Sequence, residues 1–436
     1  MTDGSGALSV HAAAHERPDG LAIVTEDGAR WTWSEVAARL TGRLDGIGSP
    51  LASVVGDASA ERVLDTLAAI DLGAPLLMLH PRWTVAEREQ VLSDARGAAG
   101  PEGALAILYT SGTTGRAKGA ILSRHAFEAS ARASARNLPL TSDDRWLLCM
   151  SIAHVGGLSV IVRSLIARSA IVIAGPFETE RTLAVIARER PTLVSVVPTM
   201  LARMLDAGWA PHAELRAVLL GGAACPERTL ARAIDAGLPI RTTYGLTEAC
   251  SQVTTARQDV RSLDAGAGEP LPGIEVRIGA TGTIAVRGPT MLDGWFPPGA
   301  HPPPLDAEGW YDTGDLGSID AQGRLHVLSR RTDLIVTGGE NVYPAEVEAA
   351  LEHVEGVRAA CVFAVEDERW GQTVAAAVVG DAPDAVIADA LAVRLARFKI
   401  PRAIARIDAL MVTGAGKIDR RATAERARPL LRELTR

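Results

Sequence analysis

The stretch Ala104-Leu105-Ala106-Ile107-Leu108-Tyr109-Thr110-Ser111-Gly112-Thr113-Thr114-Gly115-Arg116-Ala117-Lys118 decides how this chain is read. Its first six residues form an apolar run, which predicts a buried strand. The nine that follow alternate hydroxyls with glycines at the strand tip and finish on the cations Arg116 and Lys118. Small residues let backbone N–H groups converge on an anion, the hydroxyls donate to its oxygens, and Lys118 balances its charge. A plain surface turn also collects Gly, Ser and Thr, but the place at a strand tip favours a phosphate cradle. The spacing is not that of a Walker A loop, since Ala117 stands five positions after Gly112 and Gly119 follows Lys118.

Around this segment, short apolar runs alternate with longer amphipathic stretches. Ala170–Ala174, Leu193–Val197, Ala217–Leu220 and Ile240–Thr243 read as strands, and Thr182–Arg190, Pro198–Ala207 and Pro226–Ala236 as helices. Such alternation predicts parallel sheets covered by helices. From Gly268 onward, short β-like runs (Ile274–Ile278, Thr283–Val286, Leu325–Leu328) separated by Gly and Pro predict a small barrel-like subdomain. The proline-rich segment 297–304 must be loop. A boundary falls near Arg330–Asp333, and Pro344 opens a helix in the compact α+β unit beyond it. The expected fold is therefore α/β, with a large N-terminal domain over residues 1–330 that binds nucleotide and substrate. A smaller, mobile α+β C-terminal domain is expected over 331–436.

Bulk composition narrows the function. The chain has 436 residues, 47% hydrophobic and 22% charged, in the range of globular enzymes. With 45 basic and 52 acidic residues the net charge is −7, which argues against a nucleic-acid partner. The four cysteines are scattered with no paired spacing, so a reducing cytoplasm is expected. Neither a secretory signal nor an apolar run of membrane-spanning length is read, so no membrane partner is expected.

Five further segments suit a nucleotide site. Leu220-Gly221-Gly222-Ala223 offers bare backbone to a flat base. In Thr243-Tyr244-Gly245-Leu246-Thr247-Glu248, Tyr244 can stack on a purine, Thr247 can donate to a phosphate, and Glu248 is a hard-oxygen ligand for Mg²⁺. Asp315, in Tyr311-Asp312-Thr313-Gly314-Asp315, is suited to gripping ribose hydroxyls. Ser329–Asp333, followed by Gly338-Gly339-Glu340-Asn341, suggests a hinge and a backbone-rich turn. Gly414-Ala415-Gly416-Lys417 presents a lysine on a loop.

In this order the set resembles the acyl-adenylate-forming superfamily of acyl-CoA ligases, luciferases and peptide-synthetase adenylation domains. The resemblance runs from Trp31-Thr32-Trp33-Ser34-Glu35 to Lys417. Within the superfamily, Met150–Arg163, Val194–Met200 and Glu248–Val253 look like the corresponding stretches of o-succinylbenzoate–CoA ligases. The resemblance implies ATP, Mg²⁺ and CoA as cofactor and substrates, and a thioester made through an acyl-adenylate. It assigns ATP to Thr110, Ser111, Gly112, Thr113, Thr114, Gly115, Lys118, Gly221, Gly222, Ala223, Tyr244, Gly245, Asp315 and Arg330. Lys417, Thr247, Glu248 and His154 are implied as catalytic, with Glu248 also the metal ligand. His154, Arg163, Ser195 and Gly245 would face the acid, Gly338, Gly339 and Glu340 the CoA, and Thr332 the hinge.

Arg163 stands nine residues after His154, where the resembling family holds the succinyl carboxylate. A guanidinium pairs bidentately with a carboxylate, so the assignment fits a substrate that must be held by one carboxylate while the other reacts. An arginine snorkelling to solvent is the alternative. Thr332 departs from the aspartate that many relatives carry at the hinge, with Asp333 next to it. Another aryl- or acyl-CoA ligase, a stand-alone enzyme loading a carrier protein, and a silent scaffold stay open as rival readings. Oligomeric state, including a homo-oligomer, is left open too.

Overall fold

The computed structural model describes residues 6–43, 51–96, 98, 100–110, 118–299, 301–302, 304–337, 340–367, 370–414 and 416–434. Two sheets dominate the first 300 residues. The larger has nine strands, and its centre is parallel: Ile240–Leu246, Ala217–Leu220, Leu193–Val196, Arg145–Leu148, Ala170–Ile173 and Leu21–Val24, in that spatial order. The smaller runs Ala52–Val55, Leu76–Leu79 and Ala104–Thr110 in parallel. Lys118–Ser123 and Gly294–Phe296 then close one edge of it antiparallel. Strands buried on both faces must be apolar throughout, which is why these runs showed so clearly in the sequence.

Alternation within each strand sends successive side chains to different cores. Leu76 and Met78 join the core between the sheets, with Leu158, Ile161 and Leu165 of the Val155–Ala167 helix. Leu77 and Leu79 face the opposite side, against Val91, Ile107 and Phe296. On the far face of the nine-stranded sheet, Val172, Val194, Val196 and Val218 pack under Val185, Ile186, Leu201, Met204 and Leu230. Those residues come from the helices Thr179–Glu189, Pro198–Asp206 and Glu227–Asp235.

An antiparallel four-stranded sheet follows, formed by Glu275–Ile278, Thr283–Arg287, Tyr311–Ile319 and Leu325–Arg330. The last sheet is built around the long pair Val357–Asp367 and Gly371–Gly380. It is covered by the helices Pro344–Glu352, Asp384–Arg394 and Arg420–Ala427. Among the described residues, no helix is long and apolar enough to cross a membrane.

Element boundaries moved where a cap or a partner strand was not legible. The helix read from Thr182 starts at Thr179, because the Glu178 carboxylate accepts from the N–H groups of Glu180 and Arg181. The strand read as Ile240–Thr243 continues to Leu246 because it gains an antiparallel neighbour, Ser251–Thr255. Thr32 and Thr84 each open a helix through a reciprocal capping box with Glu35 and Glu87.

Candidate active site

The carboxyl ends of parallel strands form the floor of a cleft, the position where open α/β sheets bind ligands. Thr110, Val197 and Gly221 lie at such ends, and Tyr244 stands two residues past the last parallel pair of its strand. Gly222 has φ +82°, and a Cβ placed there would meet Val197 at 3.2 Å and Lys417 Cε at 3.6 Å. Lys417, near the end of the chain, therefore stands against Gly222. Its turn is latched by the Thr199 hydroxyl, which donates to the Gly416 carbonyl at 2.5 Å.

The turn from Tyr244 to Ser251 is tightly closed. A Cβ on Gly245 would fall 1.7 Å from the Ser251 carbonyl oxygen, so no other residue fits. Cys250 and Ser251 hold left-handed φ values of 52° and 91°, a strained pair just beyond the short helix Thr247–Ala249 that carries Glu248. The Tyr244 hydroxyl donates to Asp315 Oδ2 at 2.7 Å. Asp315 in turn pairs in register with Arg330 on the neighbouring strand. Two segments 71 residues apart thus meet at one carboxylate.

Lys118 begins the strand after the glycine–hydroxyl loop, with its ammonium 5.5 Å from the Trp295 ring centroid. The loop itself, Ser111, Gly112, Thr113, Thr114 and Gly115, lies outside the described residues, as do Gly338, Gly339 and the side chain of Arg330. Ala223 is exposed just past Gly222. Glu340 starts the strand Glu340–Val342, exposed and paired with Thr337. Thr332 sits in a short 3-10 turn, where neighbouring Asp333 meets Arg420 at 3.4 Å.

His154 caps the Val155–Ala167 helix without a side-chain bond to it. Burial, with the nearby charges of His80, Lys417 and Arg82, depresses its pKa to about 4. The imidazole is therefore neutral at pH 7 and cannot act there as a fixed cation. His80 stands beside it, ring centroids 5.0 Å apart. The sequence singles out none of His80, Thr199 and Trp295: His80 and Trp295 belong to no motif, and Thr199 stands within Val194–Met200 with no role of its own.

Arg163 lies about 13 Å along the same helix from His154, at 1.5 Å per residue. It is 5% exposed. Its guanidinium lies 5.7 Å from the Trp146 ring centroid and donates to Ser130 Oγ at 3.4 Å. Nε has no partner, and burial pulls the pKa down to about 10. The solvent-snorkelling alternative is excluded. The side chain instead lines a cavity of about 230 Å³ with Trp146, Ser134, Leu138 and Ile166. Trp146 also donates its indole N–H to Ser195 Oγ at 3.0 Å, so one aromatic ring touches both Ser195 and Arg163.

No group of three or more His, Cys, Asp and Glu suited to a metal occurs among the described residues. One carboxylate, such as that of Glu248, would suit Mg²⁺ held mainly by substrate phosphate oxygens and water.

Parallel strand ends, the bare backbone at Gly222 beside Lys417, and the Asp315 carboxylate fixed by Tyr244 make an arrangement suited to an enzyme that uses a nucleotide. The AMP-binding enzyme family matches residues 96–296, and the AMP-binding enzyme C-terminal domain matches residues 346–417. This chain belongs to that family. It is 32% identical over 463 residues to the 2-succinylbenzoate–CoA ligase of Bacillus pumilus, covering 93% of this chain and 95% of the relative. It is also similar to the o-succinylbenzoate CoA synthetase of Bacillus subtilis in complex with the acyl-adenylate intermediate. That likeness has a TM-score of 0.85 and 30% identity, covering 94% of this chain and 96% of the other. The same enzyme with ATP and magnesium ion gives a TM-score of 0.84 at 30% identity, covering 95% and 98%.

Proposed function

We propose that this chain joins o-succinylbenzoate to CoA in two steps, using ATP and releasing AMP and pyrophosphate. The supporting observation is likeness over nearly the full length to an enzyme solved with the acyl-adenylate of that acid.

In the first step a carboxylate oxygen of the acid bonds to the α-phosphorus of ATP, and the bond to the β-phosphate oxygen breaks. A carboxylate near pKa 4 is already ionised at neutral pH, so no general base is needed. Catalysis then rests on positioning and on stabilising charge at the phosphoryl oxygens. The 110–118 loop, Thr247 and Lys417 supply donors and positive charge there. Mg²⁺, held through Glu248, adds charge neutralisation on the phosphates. Asp315 and Arg330 hold the ribose side, with Tyr244 orienting Asp315. The base lies over Gly221, Gly222 and Ala223.

His154, neutral at pH 7, closes the acyl side together with Gly245 and Ser195. Arg163 is the cation for the substrate's second carboxylate. It is a buried charge with no carboxylate among its described hydrogen-bond and ion-pair partners. Such an arrangement is costly until an anion arrives.

For the second step we divide the chain at residues 330 and 331, with Thr332 as the pivot. Rotation withdraws Lys417 and brings Gly338, Gly339 and Glu340 to the CoA side. The thiol sulfur then bonds to the acyl carbon, AMP leaves, and the thiol proton passes to solvent.

A pyrophosphate-release assay over a panel of aromatic and aliphatic acids, with and without CoA, tests this function. Turnover of o-succinylbenzoate that yields its CoA thioester is expected. Preference for a monocarboxylic acid, or indifference to free CoA, would overturn it.

A further inference from the structure

His80 follows the strand Leu76–Leu79 and is half-buried. Three contacts hold its ring. His154 is 5.0 Å away between centroids, Trp83 is 6.3 Å away, and His80 Nδ1 accepts from the Arg82 N–H at 3.1 Å. The remaining edge of the ring faces the C-terminal unit. A Cβ placed on Gly414 would lie 2.7 Å from His80 Cε1 and 3.2 Å from Nε2. The φ of Gly414 is not in the left-handed region, so glycine is needed there for space and not for backbone conformation.

Gly414 belongs to the turn that carries Lys417. Thr413 closes this turn, its N–H donating to the Lys417 carbonyl at 2.7 Å and its carbonyl accepting from Gly416 at 2.9 Å. The Lys417 N–H donates to Thr413 Oγ1 at 3.3 Å. The turn meets the rest of the site at three points: Gly416 on Thr199, Lys417 beside Gly222, and Gly414 on His80. Three separated points fix both the depth and the tilt of a rigid turn.

We infer that His80 is a positioning residue for the adenylation step: its imidazole edge is the seat on which Gly414 rests, and this contact sets how far Lys417 reaches into the cleft. The inference rests on the role proposed above for Lys417. Because His80 also packs on His154, the same seat ties the placement of the lysine to the wall of the acyl pocket. A side chain at 414 would lift the turn off this seat. The ring cannot swing away cheaply, because Trp83 and His154 flank it.

A double-mutant cycle on the full-length protein tests this, with Gly414→Ala, His80→Ala and the pair. Two half-reactions are read: pyrophosphate release on acyl-adenylate formation, and thioester formation from synthetic acyl-adenylate and CoA. Gly414→Ala should slow the first by about tenfold to a hundredfold, the size expected of an ångström-scale misplacement, and leave the second unchanged. His80→Ala alone, which removes the seat, should also slow the first half-reaction and spare the second. The pair should be faster than Gly414→Ala because the obstructing ring is gone. An undiminished first half-reaction in His80→Ala would overturn the inference. An undiminished first half-reaction in Gly414→Ala, or a double variant no faster than Gly414→Ala alone, would overturn the seat. The retained second half-reaction reports folding in every variant. Lys417→Ala serves as the separate control. If it slows both half-reactions equally, the proposed role of the lysine fails, whatever the cycle shows.

Discussion

The phenol of Tyr244 donates a 2.7 Å hydrogen bond to Oδ2 of Asp315, joining a strand of the nine-stranded sheet to the antiparallel sheet. A carboxylate held on one oxygen by a fixed donor keeps a defined orientation for a diol. Losing a hydrogen bond to a charged acceptor costs about 1.5 kcal/mol, close to tenfold in affinity. Tyr244→Phe should therefore raise the KM for ATP about tenfold with little change in the KM for the acid. Asp315→Ala should have the larger effect. Steady-state kinetics with each substrate varied in turn decides it.

The role proposed for Arg163 makes the choice of acid depend on its charge. Arg163→Met keeps much of the volume over Trp146 and removes the charge. It should raise the KM for o-succinylbenzoate by about 30-fold or more, given 2–3 kcal/mol for a charge-assisted pair, and leave the KM for ATP unchanged. The analogue lacking the carboxylate that does not react is the control. If its KM rises equally, Arg163 serves packing alone.

His154 gives the fold a pH dependence of known sign. Its folded pKa, about 4, lies below the ordinary 6.5. The unfolded chain therefore binds the extra proton first. Stability is full above pH 6.5 and is lost as pH falls towards 4, by about 3 kcal/mol in total. His154→Gln should flatten that part of the profile, measured by urea unfolding at pH 7.5 and 4.5. An unchanged slope would show that other groups carry it.

Glu352 works in the opposite sense. Burial and the charges of Glu348 and Glu227 raise its carboxyl to about 7 from an ordinary 4.5. It lies where the Pro344–Glu352 and Glu227–Asp235 helices meet, beside the His353–Glu227 pair at 3.3 Å and the Arg228 bond to the Val357 carbonyl at 3.4 Å. The unfolded chain loses its proton first, so this group's stabilisation is lost as pH rises from 4.5 through 7. Glu352→Gln should raise the Tm above pH 7 and leave it unchanged near pH 4. Thermal melts across that range test it.

Much of the architecture was legible because its signals are local. Val172, Val194 and Val218 sit in short apolar runs that only a two-sided sheet can bury. Pro198 and Pro344 begin helices as their fixed φ demands. The strand Ser251–Thr255 escaped notice because its Ser, Gln and Thr residues carry no apolar alternation. Gln252, Thr254 and Thr255 are buried in a strand that pairs with Tyr244 and its neighbours, with no apolar pattern to mark them.

The cleft was legible only in part. Glycines at 221–222 and 245, Glu248, Asp315 and Lys417 stand in ordered motifs, so the chain itself declared a nucleotide-activating site. The phosphate-type segment at 110–118, the amphipathic helices and membership of the AMP-binding enzymes were likewise set by residue type and spacing. Only the folded chain brought Lys417 to Gly222 and laid Gly414 on His80. Only the folded chain placed one tryptophan under both Ser195 and Arg163, and buried that arginine beside a small cavity. Periodicity and turn chemistry report what a residue does to its own backbone. Contacts between residues far apart in sequence follow from strand order and from the docking of one unit on another, and no spacing along the chain encodes those.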